Sequence, residues 1–298
     1  MCAMSTPLFG RVLTAMVSPM RTDGSLDLEA TARVATHLVD MGNDGLIVNG
    51  TTGESATTTD DEKLALLGAV LDAVGDRARI VAGVGTNDTA HTVALARQAA
   101  ERGAHGLLVV TPYYNKPPQS GLLAHFRTVA DATDVPVMLY DIPGRSGVPI
   151  AVDTLIALAE HPQIRAVKDA KSDFWAATQV MRATDLTWYS GNDGETILHM
   201  AQGAAGVVGV TTHVAPAEFA QLVTAMEAGD LSTARSLHQR LVPAVDAVMG
   251  ITQGAMAAKA GLVEQGVLAY ATVRSPLVSL TDDELARLRA GLKESGLL

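Results

Sequence analysis

The sequence predicts an α/β protein: a closed (β/α)8 TIM barrel followed by a C-terminal helical appendage. Three features predict it. Short apolar runs alternate with longer amphipathic stretches eight times between Val12 and Ala228. The short runs are continuously apolar, the pattern of parallel strands buried on both faces. The remainder, Leu231–Leu298, has helical periodicity and no strand signal. Eight consecutive units favour a closed barrel over an open doubly wound sheet.

The first strand run is Val12–Val17, and its helix follows Asp27 as N-cap and stops at Gly42. The second run starts at Gly45, with a helix over Asp60–Val74. The third run is Arg79–Gly85, with a helix over Thr89–Gly103. The fourth is Gly106–Pro112, with a helix over Gly121–Ala132. The fifth is Pro136–Asp141, with a helix over Val152–Glu160. The sixth is Ile164–Asp169, with a helix over Phe174–Ala183. The seventh is Leu186–Gly191, with a helix over Thr196–Gln202. The eighth is Gly206–Thr212, with a helix over Pro216–Ala228. Residues 1–230 are therefore read as the catalytic barrel. Residues 231–298 are read as a helical segment packed on it, because no linker rich in Pro, Gly or Ser separates the two.

Composition narrows the chemistry. Hydrophobic residues make up 48% of the 298 positions and charged ones 18%, so the chain can bury a large core. Aromatics are only 4%, so that core is aliphatic. A net charge of −10 offers no counterion-release affinity, which argues against a nucleic-acid partner. The single cysteine, Cys2, can form neither a disulfide within the chain nor a thiolate metal site. The N-terminus has no signal-peptide pattern and no apolar run reaches ~18 residues, so the expected location is the cytoplasm, away from membrane.

In such a barrel the active site lies where strands end and βα loops begin. Lys168 is the most informative residue there. Of the six lysines, only Lys168 falls inside a strand run. A buried ammonium is costly unless paired, or deprotonated and used. A desolvated, neutral lysine attacks carbonyls to form a Schiff base. Pairing with Asp169 is the competing explanation of the same spacing.

Tyr140 ends the preceding strand and could relay protons, although an ordinary rim tyrosine fits equally. Gly50-Thr51-Thr52-Gly53-Glu54 could form a backbone nest for a carboxylate or phosphate, or a plain turn. Tyr113-Tyr114-Asn115-Lys116-Pro117-Pro118 reads as a stiff loop for a substrate or a subunit contact. Arg145 could clamp a second carboxylate, or simply be solvated. Gly83-Val84-Gly85 lacks a third glycine, so NAD is not expected. The histidines show no HExxH pattern and only His213 falls at a strand end, so no metal is expected.

Together GTTGES (Gly50–Ser55), VTPYYNKPPQ (Val110–Gln119), YDIPGRSG (Tyr140–Gly147), VKDA (Val167–Ala170) and SGND (Ser190–Asp193) resemble the dihydrodipicolinate synthase and N-acetylneuraminate lyase family over nearly the whole length. The resemblance implies that Lys168 forms a covalent imine with pyruvate, with no other cofactor. Thr51 and Thr52 would hold the pyruvate carboxylate, and Tyr140 would shuttle protons. Thr51 would link Tyr140 to Tyr114 in a relay, with Tyr114 reaching into a neighbouring subunit's site. Gly191 and Val208 would line the pyruvate pocket. Arg145 would clamp L-aspartate 4-semialdehyde, which favours condensation to 4-hydroxy-tetrahydrodipicolinate in lysine and diaminopimelate biosynthesis. The alternative is a sister aldolase or lyase acting on a 2-keto-3-deoxy sugar acid or 4-hydroxy-2-oxoglutarate. A catalytically silent relative is opposed by the presence of Lys168, Tyr140 and Thr51. The family implies a homotetramer, a dimer of tight dimers. Asp60, Lys63 and His91 stand where lysine-inhibited members carry other residues. Lys63 and His91 are expected to repel the lysine cation and make inhibition weak or absent.

Overall fold

The computed structural model describes residues 7–298, so Cys2 lies outside the described residues. Eight parallel strands close into a barrel in sequence order: β1 (Val12–Ala15), β2 (Gly45–Val48), β3 (Arg79–Gly83), β4 (Gly106–Val110), β5 (Val137–Asp141), β6 (Ile164–Asp169), β7 (Thr187–Ser190) and β8 (Gly206–Gly209). The helices after them are α1 (Leu28–Asp40), α2 (Asp60–Val74), α3 (Thr89–Glu101), α4 (Gln119–Ala130), α5 (Pro143–Ser146), α6 (Val152–Ala159), α7 (Phe174–Ala183), α8 (Thr196–Ala201) and α9 (Pro216–Glu227). The appendage contributes α10 (Leu231–Val245), α11 (Gly254–Glu264) and α12 (Asp282–Glu294). No described helix is long and apolar enough to cross a membrane.

The eight strand runs were each placed on a barrel strand, but most strands end earlier than the apolar runs do. β8 shows why. Val210 N–H and Thr211 N–H donate to the Asp193 carboxylate rather than to a strand, and Thr211–His213 turn into a 3-10 helix. α4 begins at Gln119, two residues ahead of the expected Gly121, because Pro118 supplies its N-cap. The single turn α5 was not anticipated; Pro143 opens it and Gly147, at φ 83°, closes it.

Strand residues alternate between two cores. Leu13, Ile47, Val81, Leu108, Met138, Ala166, Tyr189 and Val208 fill the barrel interior, with Phe9 packed against them. Leu46, Ile80, Leu107, Leu139 and Val167 face the helices. The appendage packs into this outer layer through Ala244, Val248, Leu288 and Leu292. Leu237 and Leu241 of α10 join Phe219 and Leu222 of α9 over the β8–β1 seam. Within the helical appendage the stretch between α11 and α12 is irregular. Its Arg274 N–H donates to the Glu54 carboxylate of the barrel, and its Thr272 carbonyl accepts from Lys259 of α11.

Candidate active site

β6 delivers Lys168 to the barrel interior. Ala166 lies in the inner core, and Lys168, two residues on, shares its face. Val167 and Asp169 therefore point outward. Asp169 accepts from Lys171 N–H (2.8 Å) and Trp188 Nε1–H (3.2 Å), which removes it as a partner for Lys168. Lys168 is only 4% exposed, and its Nζ sits 4.2 Å from the Tyr140 ring centroid. The β5–β6 register sets that neighbourhood by pairing Tyr140 with Lys168. Among the described residues Lys168 makes no hydrogen bond or ion pair.

Burial lowers the Lys168 pKa to about 8, against the pull of Asp193 and with the repulsion of Arg145. Burial likewise pushes the Tyr140 phenol up to about 12, with Arg145 opposing and Asp193 adding. Asp193 is buried, and burial raises its pKa against the Thr211 and Val210 amides and Lys168. Its carboxylate accepts Val210 N–H at 2.9 Å and Thr211 N–H at 2.8 Å. Asp193 was visible in the sequence only as a polar residue at a strand end. Its bridging of β8's exit to the field around Lys168 is a tertiary fact.

The loop after β2 forms the second component. Gly53 N–H and Ser55 N–H return to Gly50 O, and Glu54 N–H returns to Thr51 O. Those bonds leave the Thr51 and Thr52 N–H groups without an acceptor among the described residues. Such adjacent, unspent donors suit an anion. Asn49 at φ 64° and Glu54 at φ 56° flank the turn. Gly83 is required beneath it, because a Cβ there would collide with the Asn49 carbonyl.

A cavity of about 370 Å³ opens over the ends of β2 to β5, within the size range of small-molecule sites. Thr51, Tyr113, Tyr140 and Arg145 stand in its wall. Tyr140 is thus both cavity wall and neighbour of Lys168. Thr52 is buried beside Thr51. Gly191 and Val208 are outside that wall: Gly191 N–H binds Asp169 O, and Val208 packs within the same inner core as Tyr140. Tyr114 points elsewhere, 88% exposed on a left-handed backbone (φ 73°). No hydrogen bond joins Thr51, Tyr140 and Tyr114 within the chain.

Two further buried groups turn out to be structural. His213 accepts from Val17 N–H at Nε2 (3.0 Å), so Nδ1 carries the proton it donates to Val210 O (2.7 Å). Burial, opposed by that carbonyl, holds its pKa at about 4. Lys63 is not a free cation either: it donates to Thr58 O at 2.6 Å and lies 3.8 Å from Asp60, which also binds His91 at 2.9 Å. The two groups expected to repel a lysine cation are thus both tied to Asp60 within the chain. A larger cleft at the opposite, N-terminal ends of the strands is lined by Arg11 and Asp44, already paired with each other. In this fold that end serves stability.

The family model described as the dihydrodipicolinate synthetase family matches residues 8–295. The 4-hydroxy-tetrahydrodipicolinate synthase of Kineococcus radiotolerans is 58% identical over 289 residues, covering 97% of this chain and 94% of that protein. The protein of the same name from Acidothermus cellulolyticus is 59% identical over 288 residues, covering 97% and 93%. The crystal structure of dihydrodipicolinate synthase from Cyanidioschyzon merolae, with lysine bound, superposes with a TM-score of 0.95 at 37% identity, covering 98% of this chain and all of that one. With this agreement in sequence and in shape, the chain belongs to the dihydrodipicolinate synthetase family.

Proposed function

We propose that this chain condenses pyruvate with L-aspartate 4-semialdehyde to 4-hydroxy-tetrahydrodipicolinate, a step of lysine and diaminopimelate biosynthesis. The names of relatives at 58% and 59% identity support this reading. One structural observation carries it: a buried, unpaired amine beside the Tyr140 phenol, which together with Thr51 and Arg145 lines a cavity.

The pyruvate carboxylate accepts hydrogen bonds from Thr51 and Thr52. The neutral Lys168 amine adds to the ketone, and Tyr140 carries protons as the carbinolamine loses water to become an iminium. The iminium acidifies the pyruvate methyl, which loses a proton and becomes an enamine. The enamine carbon attacks the aldehyde, whose own carboxylate is held by Arg145. The amine of the adduct then displaces Lys168 and closes the six-membered ring. Gly191 and Val208 shape the pocket around the three-carbon acid. Every electron sink in this sequence is the lysine imine, so no other cofactor takes part.

Tyr114 acts in the site of an adjoining copy, and the assembly is a homotetramer made of two tight dimers. Its exposure and left-handed backbone support a role outside its own subunit. Borohydride reduction with pyruvate tests the core of the mechanism. A covalent mass increase is expected in the native protein and none in Lys168→Ala. Turnover with aspartate semialdehyde, and not with keto-sugar acids, is expected; the reverse preference would assign the chain to a sister lyase.

A further inference from the structure

Glu54 closes the turn that carries Thr51 and Thr52, yet it does not line the cavity. Its N–H binds Thr51 O (3.1 Å), which ties Glu54 directly to Thr51. Glu54 is buried, and its side chain runs away from the site into the appendage. There the carboxylate is bonded by Lys259 Nζ of α11 and by Arg274 N–H (2.9 Å) of the irregular stretch before α12. Lys259 is fully buried and also donates to Thr272 O at 2.7 Å. The Arg274 guanidinium spans Gly24 O (2.9 Å), Thr57 O (2.8 Å) and the Glu62 carboxylate. Thr57 follows the turn and Glu62 lies in α2, so the appendage grips the turn through Glu54 and also the chain that leaves it.

A buried ion pair is a poor way to add stability, because desolvation of both charges offsets most of their attraction. It is a good way to specify one geometry, since neither charge tolerates losing its partner. Glu54 also holds a left-handed backbone (φ 56°), which a non-glycine residue keeps only when its surroundings impose it. The contacts that impose it come from more than 200 residues further along the chain.

We infer that Lys259 and Arg274, acting through Glu54, are positioning residues that hold the Thr51–Thr52 amides in the geometry that binds the pyruvate carboxylate. This rests on the assignment of that turn to pyruvate. The appendage is then part of the substrate site without touching substrate.

The test uses the full chain and steady-state kinetics with pyruvate. Lys259→Met removes the ammonium at nearly constant volume and leaves Glu54 as a buried, half-paired carboxylate. Its KM for pyruvate is expected to rise about tenfold, with kcat within about twofold. The Lys259→Met/Glu54→Gln double variant removes both charges and keeps an acceptor for Arg274 N–H. It is expected to return KM to within about threefold of the native value. Arg274→Ala, at a partly exposed position, keeps the backbone bond to Glu54 but releases the guanidinium contacts to Gly24, Thr57 and Glu62 that anchor it; it is expected to raise KM about threefold and serves if the buried variants do not fold. Borohydride trapping at limiting pyruvate should slow in parallel and recover at saturating pyruvate. Folded variants with unchanged KM, or with a lower kcat at unchanged KM, overturn the inference and leave the cluster a structural tie. A native protein that traps no pyruvate at all would instead defeat the assignment of the turn.

Discussion

The proposed chemistry rests on Lys168, which is buried and bonded to no carboxylate among the described residues. With a pKa of about 8, roughly a tenth of the amine is neutral at neutral pH, against a negligible fraction at the ordinary 10.5. The rate of pyruvate trapping at fixed, sub-saturating pyruvate is therefore expected to climb between about pH 7 and 9 and level off above. A pH-independent rate across that range would contradict the assigned environment. The same burial costs stability. Below about pH 8 the amine is protonated in folded and unfolded chains alike, and its burial penalty is fully present; the penalty fades as pH rises from about 8 to 10.5. Lys168→Met is accordingly expected to be inactive but more stable at neutral pH, by up to ~3 kcal/mol. The advantage should shrink in alkali, as chemical denaturation at several pH values would show. Arg145 is a separable residue. Arg145→Ala is expected to leave pyruvate trapping intact and raise KM for the aldehyde roughly 10- to 100-fold, the loss of one charge-assisted pair.

Among the elements, the β8–β1 seam closes the barrel and holds the field around Lys168. His213 stitches it by joining Val17 N–H to Val210 O, one residue from the amides that Asp193 holds. The ring must be neutral to accept from Val17. Its folded pKa of about 4 lies below the ordinary 6.5, so its contribution is complete above about pH 6.5 and is lost as pH falls toward 4. That window is worth roughly 3 kcal/mol. His213→Leu is expected to lose about 2–4 kcal/mol at pH 7, the cost of leaving Val17 N–H and Val210 O unpaired in the interior, and to show a flatter decline in stability between pH 6.5 and 4 than the native protein. Equal slopes in the two proteins would remove His213 from the seam. The loop after β2 depends on its neighbours in another way. Gly83 gives the Asn49 carbonyl room that any Cβ would take, so the nest is shaped by β3 as well as by its own glycines.

In the whole molecule, Tyr114 is exposed and the Asp60 side chain partly so, and the proposed assembly is where they would act. Dissociating the oligomer is expected to cut turnover while pyruvate still traps on Lys168, because the lysine site is complete within one chain and Tyr114 is not part of it. Full turnover by a demonstrated monomer would refute the cross-subunit role. Lysine feedback is expected to be weak. Asp60, the carboxylate best placed to attract an ammonium, is already shared between Lys63 and His91. Half-inhibition by sub-millimolar L-lysine would overturn that expectation.

Much of the barrel was legible because its signals are local. Continuous apolar runs mark strands buried on both faces, and Lys168 stands out as the one lysine within them. The two-residue alternation even places Lys168 inside and Asp169 outside, once the neighbouring Ala166 is known to face inward. Helix starts set by capping were also readable, as at Asp27. The early end of β8 was not, because Asp193 takes the Val210 and Thr211 amides that hydropathy assigns to the sheet, and beyond β1 His213 takes that of Val17. Equally hidden were Lys259 and Arg274. They sit in helical and irregular segments with nothing in their spacing to link them to Glu54. The sequence by itself determined which residues could do chemistry and on which strand ends they stand, since periodicity and composition are properties of neighbours in the chain. Only the tertiary structure decided which charges are left unpaired and which are spent on each other. Burial and pairing depend on atoms brought together from distant parts of the chain.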